Sequence, residues 1–178
     1  YLYNSTFQNA SLLGSLGYRF SNRIDLNVDL QQIFQGRQAG DYLYEAKSNV
    51  LIGDAVGRIV LGAYMENKSP AEVYNRYFGN HYNWINDFDR TNTINFNFAY
   101  LNDRYRFEVG AEYFLIDNYL YFGQDGDVGI KPMQNDGSLN LLKVKLGKKF
   151  KFGKFNLDSY VMYQKTDQDH ILRTPELY

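Results

Sequence analysis

Ile24-Asp25-Leu26-Asn27-Val28-Asp29-Leu30-Gln31 alternates apolar and polar side chains without a break. Period two is the signature of a strand with one apolar and one polar face. The preceding arm, Ala10-Ser-Leu-Leu-Gly-Ser-Leu-Gly-Tyr-Arg-Phe20, leads into Ser21-Asn22-Arg23, a short turn. Pairing Phe20 with Ile24 sets Tyr18 opposite Leu26 and Leu16 opposite Val28 on one face. The other face then pairs Arg19 with Asp25 and Ser15 with Asp29. Each arm has roughly ten alternating residues, long for a globular strand and suited to a tilted bilayer crossing. The hairpin reads as one unit of a transmembrane β-barrel.

The same alternation recurs along the chain. Strands are expected over residues 42–52, 57–65, 93–101, 105–114, 139–150 and 155–164, with a further one near 79–86. Residues 115–122 extend the 105–114 strand, and 123–137 form the longest loop. That gives about nine strands and no helix, an all-β, antiparallel up-and-down barrel. Bacterial single-chain barrels use even strand numbers. Either strands are missing or the count is wrong by one. Long loops should alternate with short turns, yet the loops after Phe34 and Glu66 fit one parity and that after Phe122 the other. One strand between Glu66 and Leu115 is therefore expected to be misplaced. The 178 residues read as one barrel segment of about 8–9 strands. The chain opens at Tyr1 without Met or signal peptide, so it is expected to be a piece truncated at both ends.

Composition narrows the classes. Net charge is -1 and pI about 6.1, which gives no reason to expect a nucleic-acid partner. No apolar run approaches the ~18 residues that a spanning helix needs. A mean hydropathy of -0.49 fits a soluble protein and equally a barrel, where only alternate residues face lipid. With 17 Tyr and 13 Phe, the chain is rich in rings that favour strands and membrane interfaces. Tyr18, Phe20, Phe34, Tyr42, Tyr44, Tyr100, Tyr105, Phe150, Phe155 and Tyr163 fall near strand ends on the apolar parity and are expected to form belts. There is no cysteine, hence no disulfide framework or thiolate metal site.

Four segments carry a resemblance. Asn80-His-Tyr-Asn-Trp-Ile-Asn-Asp-Phe88, Tyr113-Phe-Leu-Ile-Asp-Asn-Tyr-Leu-Tyr-Phe122, Phe150-Lys-Phe-Gly-Lys-Phe-Asn-Leu-Asp158 and Leu172-Arg-Thr-Pro-Glu-Leu177 resemble, in that order, the putative-porin family of Bacteroidetes outer-membrane β-barrels. The resemblance covers roughly residues 60 to 178. It implies the outer membrane of a Gram-negative bacterium, a pore, and further strands after Tyr178. It brings no catalytic motif.

The candidate lumen-lining residues are Arg19, Asp25, Asp29, Lys47, Arg58, Arg106, Glu108, Glu112, Lys143, Lys145, Lys149 and Asp158, all on polar faces. In a porin such residues set ion and solute preference; otherwise they are a solvated face or pair across strands as a filled interior. Pairing Phe150 with Phe155 puts Asp158 across from Gly147, diagonal to Lys145 and Lys149. Partial compensation of the lysine row then leaves weak anion selectivity. Gly123-Gln-Asp-Gly-Asp-Val-Gly129 lacks most of a calcium loop's ligands and reads as a turn. His81 and His170 stand apart and give no metal signature. No catalytic or phosphate-binding motif is present. The expectation is no enzyme and no cofactor, catalytic or metal site. Outer-membrane lipid and lipopolysaccharide are the expected neighbours. The leading reading is a porin-like diffusion channel for small polar solutes or ions. The alternatives are a non-conducting barrel that docks other outer-membrane or periplasmic proteins, and a soluble antiparallel barrel with its apolar face inward.

Overall fold

The structure is a computed structural model and describes residues 8–124 and 129–177. The chain forms β1 (Ala10–Ser21), β2 (Ile24–Gln35), β3 (Tyr42–Gly53), β4 (Gly57–Lys68), α1 (Glu72–Asn75), β5 (Arg76–Phe78), β6 (Asn83–Ile85), β7 (Thr91–Asn102), β8 (Phe107–Asp117), β9 (Leu120–Gln124), β10 (Ile130–Gln134), β11 (Ser138–Phe152) and β12 (Phe155–Thr166). Eight of the strands build one sheet in the order β1-β2-β3-β4-β7-β8-β11-β12. Every ladder in it is antiparallel. The remaining four strands make two small hairpins, β5–β6 and β9–β10. The sheet runs up and down and is not closed: β1 and β12 are not paired with each other.

The strand expected near 79–86 is not part of this sheet. Its residues span the turn and second arm of the β5–β6 hairpin, closed by Gly79 N–H donating to the Tyr82 carbonyl (2.9 Å). Removing it resolves the parity conflict. Short turns at 22–23, 54–56, 103–106 and 153–154 lie at one end of the sheet. The longer connections 36–41, 69–90 and 118–137 lie at the other. The expected extension of β8 over 115–122 stops at Asp117; Leu120–Gln124 instead pairs with β10, which lies in the stretch 123–137 read as loop. Among the described residues the one helix is the four-residue α1, in the 69–90 connection.

Two registers differ in detail. In the first hairpin Arg19–Asp25, Tyr18–Leu26, Leu16–Val28 and Ser15–Asp29 pair as expected. Ser21 rather than Phe20 opposes Ile24, because the turn is only Asn22-Arg23 and the extra residue is taken up as a bulge. In the last hairpin Phe152, not Phe150, opposes Phe155. Gly153 takes φ +60, which lets two residues make the turn with glycine at the first position. Asp158 therefore faces Lys149, not Gly147. Strand β8 begins at Phe107 rather than Tyr105, since Tyr105 and Arg106 close the preceding turn, Arg106 at φ 50.

Burial runs opposite to that of a water-soluble sheet. On β7, Ile94, Phe96 and Phe98 are exposed while Asn95, between them, is 2 % exposed. On β11, Leu142, Val144 and Leu146 are exposed while Lys143 and Lys145 are half-buried. Leu139, Asn95, Gln164 and Leu141 are buried on the polar parity, while Asn102, 6 % exposed, is buried on the apolar parity at the short-turn end of β7. On β7 and β11 the polar side is thus the covered one; on β2 the order is reversed, with Asn27 and Asp29 exposed and Leu26 and Val28 half-buried.

Candidate functional site

The registers line polar side chains up across the sheet. One row of partners runs Gly17, Asn27, Lys47, Gly62, Asn97, Glu112, Lys143, Gln164 and contains no apolar side chain. The neighbouring row on the opposite face runs Leu16, Val28, Ala46, Ala63, Phe96, Tyr113 and Leu142. Gly62 has a local reason: a Cβ there would stand 2.3 Å from the Asn97 side-chain oxygen.

Three lysines on the polar face have carboxylate partners. Lys145 Nζ donates to Glu108 Oε1 (3.0 Å), Lys47 Nζ lies 2.7 Å from Glu45 Oε1, and Lys149 Nζ lies 3.4 Å from Asp158 Oδ2. Lys143 faces Glu112 across the ladder and sits over the Phe114 ring, 4.8 Å from its centroid. Asn97 Nδ2 donates to Asn95 Oδ1 (2.9 Å), and Asn95 Nδ2 to the Tyr113 carbonyl (3.3 Å). Asp25 accepts from Asn49 Nδ2 (2.8 Å). Asp29 and Glu45 are direct cross-strand neighbours, a repulsive pairing that the Lys47 ammonium offsets.

Two cavities hold most of the sequence candidates. Lys47, Glu108, Glu112, Lys143 and Lys145 line one of about 500 Å³. Arg106, Glu108, Lys145, Lys149 and Asp158 line another of about 720 Å³, nearer the short turns. Glu108 and Lys145 belong to both. Arg19, Asp25, Asp29 and Arg58 line neither. Arg58 opposes Leu51 and Leu101 near the short turns, and Arg106 lies in a turn. Among the described residues, no three His, Asp or Glu side chains converge as a metal site. Residues 125–128 of the glycine-acid segment lie outside the described residues.

Five of the ten ring residues expected at strand ends make ring contacts there, namely Tyr18, Phe20, Tyr42, Tyr44 and Phe150. Tyr18 and Phe20 meet edge to face at 4.6 Å, and Phe150 stacks with Phe152 at 6.0 Å, both at the short-turn end. Tyr42 and Tyr44 stack at 4.8 Å at the other end.

Sequence reasoning missed a latch above the sheet. Asp41, 7 % exposed, accepts hydrogen bonds from Ser69 N–H (3.0 Å), Ser69 Oγ (2.6 Å) and Arg90 Nε (3.2 Å). Arg90 Nη2 also donates to the Ala39 carbonyl (2.6 Å). The three residues lie on separate loop-end stretches, so no local spacing announces them. Gly40 (φ +98) is needed here, since a Cβ would stand 3.2 Å from Arg90. Beside it, Arg37 Nη1 donates to Glu72 Oε2 (2.6 Å). That bond holds the Glu72 carboxyl below, and the Arg37 guanidinium above, their ordinary ranges.

A family model described as putative porin matches residues 2–178. The match extends upstream of the four resembling segments and takes in the first four strands of the sheet. Comparison with curated proteins and with solved structures gives no match. The chain belongs to the putative porin family.

Proposed function

We propose that this member of the putative porin family forms part of the wall of an outer-membrane β-barrel and passes small polar solutes or ions by diffusion. The observation that carries the reading is the inverted burial on β7 and β11. A soluble sheet that left Phe96, Phe98 and Leu146 in water while covering Asn95 would forfeit the hydrophobic driving force. In a bilayer the same arrangement is the favourable one, with rings and aliphatics against lipid and polar groups around a lumen. Strand length agrees. Twelve residues reach roughly 40 Å, or about 29 Å of bilayer at a ~45° tilt. Long connections at one end and short turns at the other fit an outer-membrane barrel with its long loops outward.

Such a wall cannot end at a bare strand in hydrocarbon, where each orphan backbone group costs several kcal/mol. At β12, Gln164 N–H donates to the Glu176 carbonyl (2.9 Å) and Tyr163 forms an isolated bridge with Leu177. The function is passage, without catalysis or cofactor, in the outer membrane of a Gram-negative, Bacteroidetes-type cell, with lipid and lipopolysaccharide against the outer wall. The sequence-derived candidates on the strands are assigned to the lumen side of the wall, and Arg106 to the short turn at its end.

One set of residues favours a second reading, a plugged barrel that docks envelope proteins. Phe78, Ile85 and Ile130 on the loop-end hairpins are exposed apolar side chains. Planar-bilayer recording of the full-length protein separates the two. Stepwise conductance is expected for the pore, and its complete absence would favour the docking barrel.

A further inference from the structure

The partnering of charges on the polar face bears on what passes, given the pore reading. A lumen selective for ions needs uncompensated charge. Here Lys145 is taken by Glu108 and Lys47 by Glu45, while Lys143 faces Glu112 across the ladder and sits over the Phe114 ring. What remains facing the 500 Å³ cavity is a mixture of donors and acceptors with little net field. The Asn97 amide is held in orientation by its hydrogen bond to the buried Asn95. Glu112 accepts and Lys143 donates, and Tyr64 and Phe114 add flat apolar surface. A hydroxyl both donates and accepts, so a polyhydroxylated molecule can use this lining without displacing an ion pair. The volume is that of a small-molecule pocket.

From this lining we infer that the lumen favours neutral polyhydroxylated solutes, of the monosaccharide class, over charged solutes of the same size. The Lys145–Glu108 pair, which lines both cavities, is the boundary at which charged solutes are discriminated. Glu108 and Lys145 are each partly exposed, and such pairs contribute little to folding, so their neutral replacements leave the wall intact.

The test is efflux of glucose, glucosamine and glucuronate from vesicles holding the full-length protein at low salt, where screening is weakest. Wild type is expected to release glucose severalfold faster than either charged sugar. Glu108→Gln leaves Lys145 uncompensated and should speed glucuronate. Lys145→Met leaves Glu108 uncompensated and should speed glucosamine. The double variant should return toward wild type. Equal release of all three sugars by wild type, or single variants that shift in the same direction or not at all, would overturn the inference and leave the pore reading standing. Release of none of the three would sink the pore reading itself, and the inference with it.

Discussion

The eight-stranded sheet and the assembly of loops at its end obey opposite rules. In the sheet, apolar and polar side chains alternate along much of each strand, and on β7 and β11 the apolar side is the open one. In the loop end, the rings are turned toward one another. Tyr77 stacks on Trp84 at 4.8 Å, Trp84 meets Phe122 at 6.2 Å, and Phe122 meets Tyr74 at 5.2 Å. Trp84 Nε1 donates to the Val73 carbonyl (2.7 Å), and Gln134 Nε2 reaches the Asp89 carbonyl (2.8 Å). The rings thus join the two small hairpins, and hydrogen bonds tie in the strands' connections. On the proposed reading the loop end is built for water and the sheet for hydrocarbon, and the change occurs within a few residues of each strand's loop end.

The sharpest way to break the contrast is a charge on the open face. Phe96→Arg or Val28→Arg should cost about 2–4 kcal/mol near the bilayer midplane, and the same change at Asn97 or Asn27 far less. A folding titration in lipid vesicles measures this, and equal damage at all four positions would remove the difference between the faces. The latch comes next. Asp41→Ala should cost about 1.5–3 kcal/mol, since three hydrogen bonds to a nearly buried carboxylate are lost. Its effect should appear as faster hydrogen exchange at 36–41 and 69–90, with the ladders β7–β8 and β8–β11 unchanged.

Trp84→Ala should loosen only the loop end, by about 1–2 kcal/mol, from lost ring contacts and one hydrogen bond. Limited proteolysis should then cut within 76–85 while the sheet stays intact. If the sheet unfolds as well, the two regions are not separable. The smallest effect is electrostatic. The Glu72 carboxyl is held low by its bond to Arg37, so that contribution is present above the ordinary glutamate range and is lost as pH falls through the folded value. Exchange protection at 72–75 should fall on acidification, and high salt should shrink the change because the pair is exposed.

The sheet was legible in the sequence because period two is a long-range signal. Eight runs of alternation gave eight strands, and the cross-strand partners of Arg19 and Tyr18 followed. The β5–β6 hairpin was not legible, since three-residue strands carry no periodicity and Tyr-Asn-Trp-Ile resembles any strand. The last hairpin slipped by two because Phe150 and Phe152 are equivalent in pattern, and only the glycine conformation at 153 decides between them. Asp41, Ser69 and Arg90 meet through loop closure, which no spacing encodes. Alternation also says that two faces differ without saying which is covered. That came from the burial of Asn95 and Gln164 against the exposure of Phe96 and Tyr163.

Which face meets lipid can be measured directly, because the chain has no native cysteine. Single variants Phe96→Cys, Asn97→Cys, Val144→Cys and Lys145→Cys in the full-length protein can carry an environment-sensitive fluorophore in vesicles containing spin-labelled lipid. Labels at 96 and 144 should be quenched by the lipid. Labels at 97 and 145 should escape that quenching and respond to an aqueous quencher. Lipid quenching at 97 and 145 with none at 96 and 144, or no lipid quenching at any of the four, would contradict a wall with its apolar face outward.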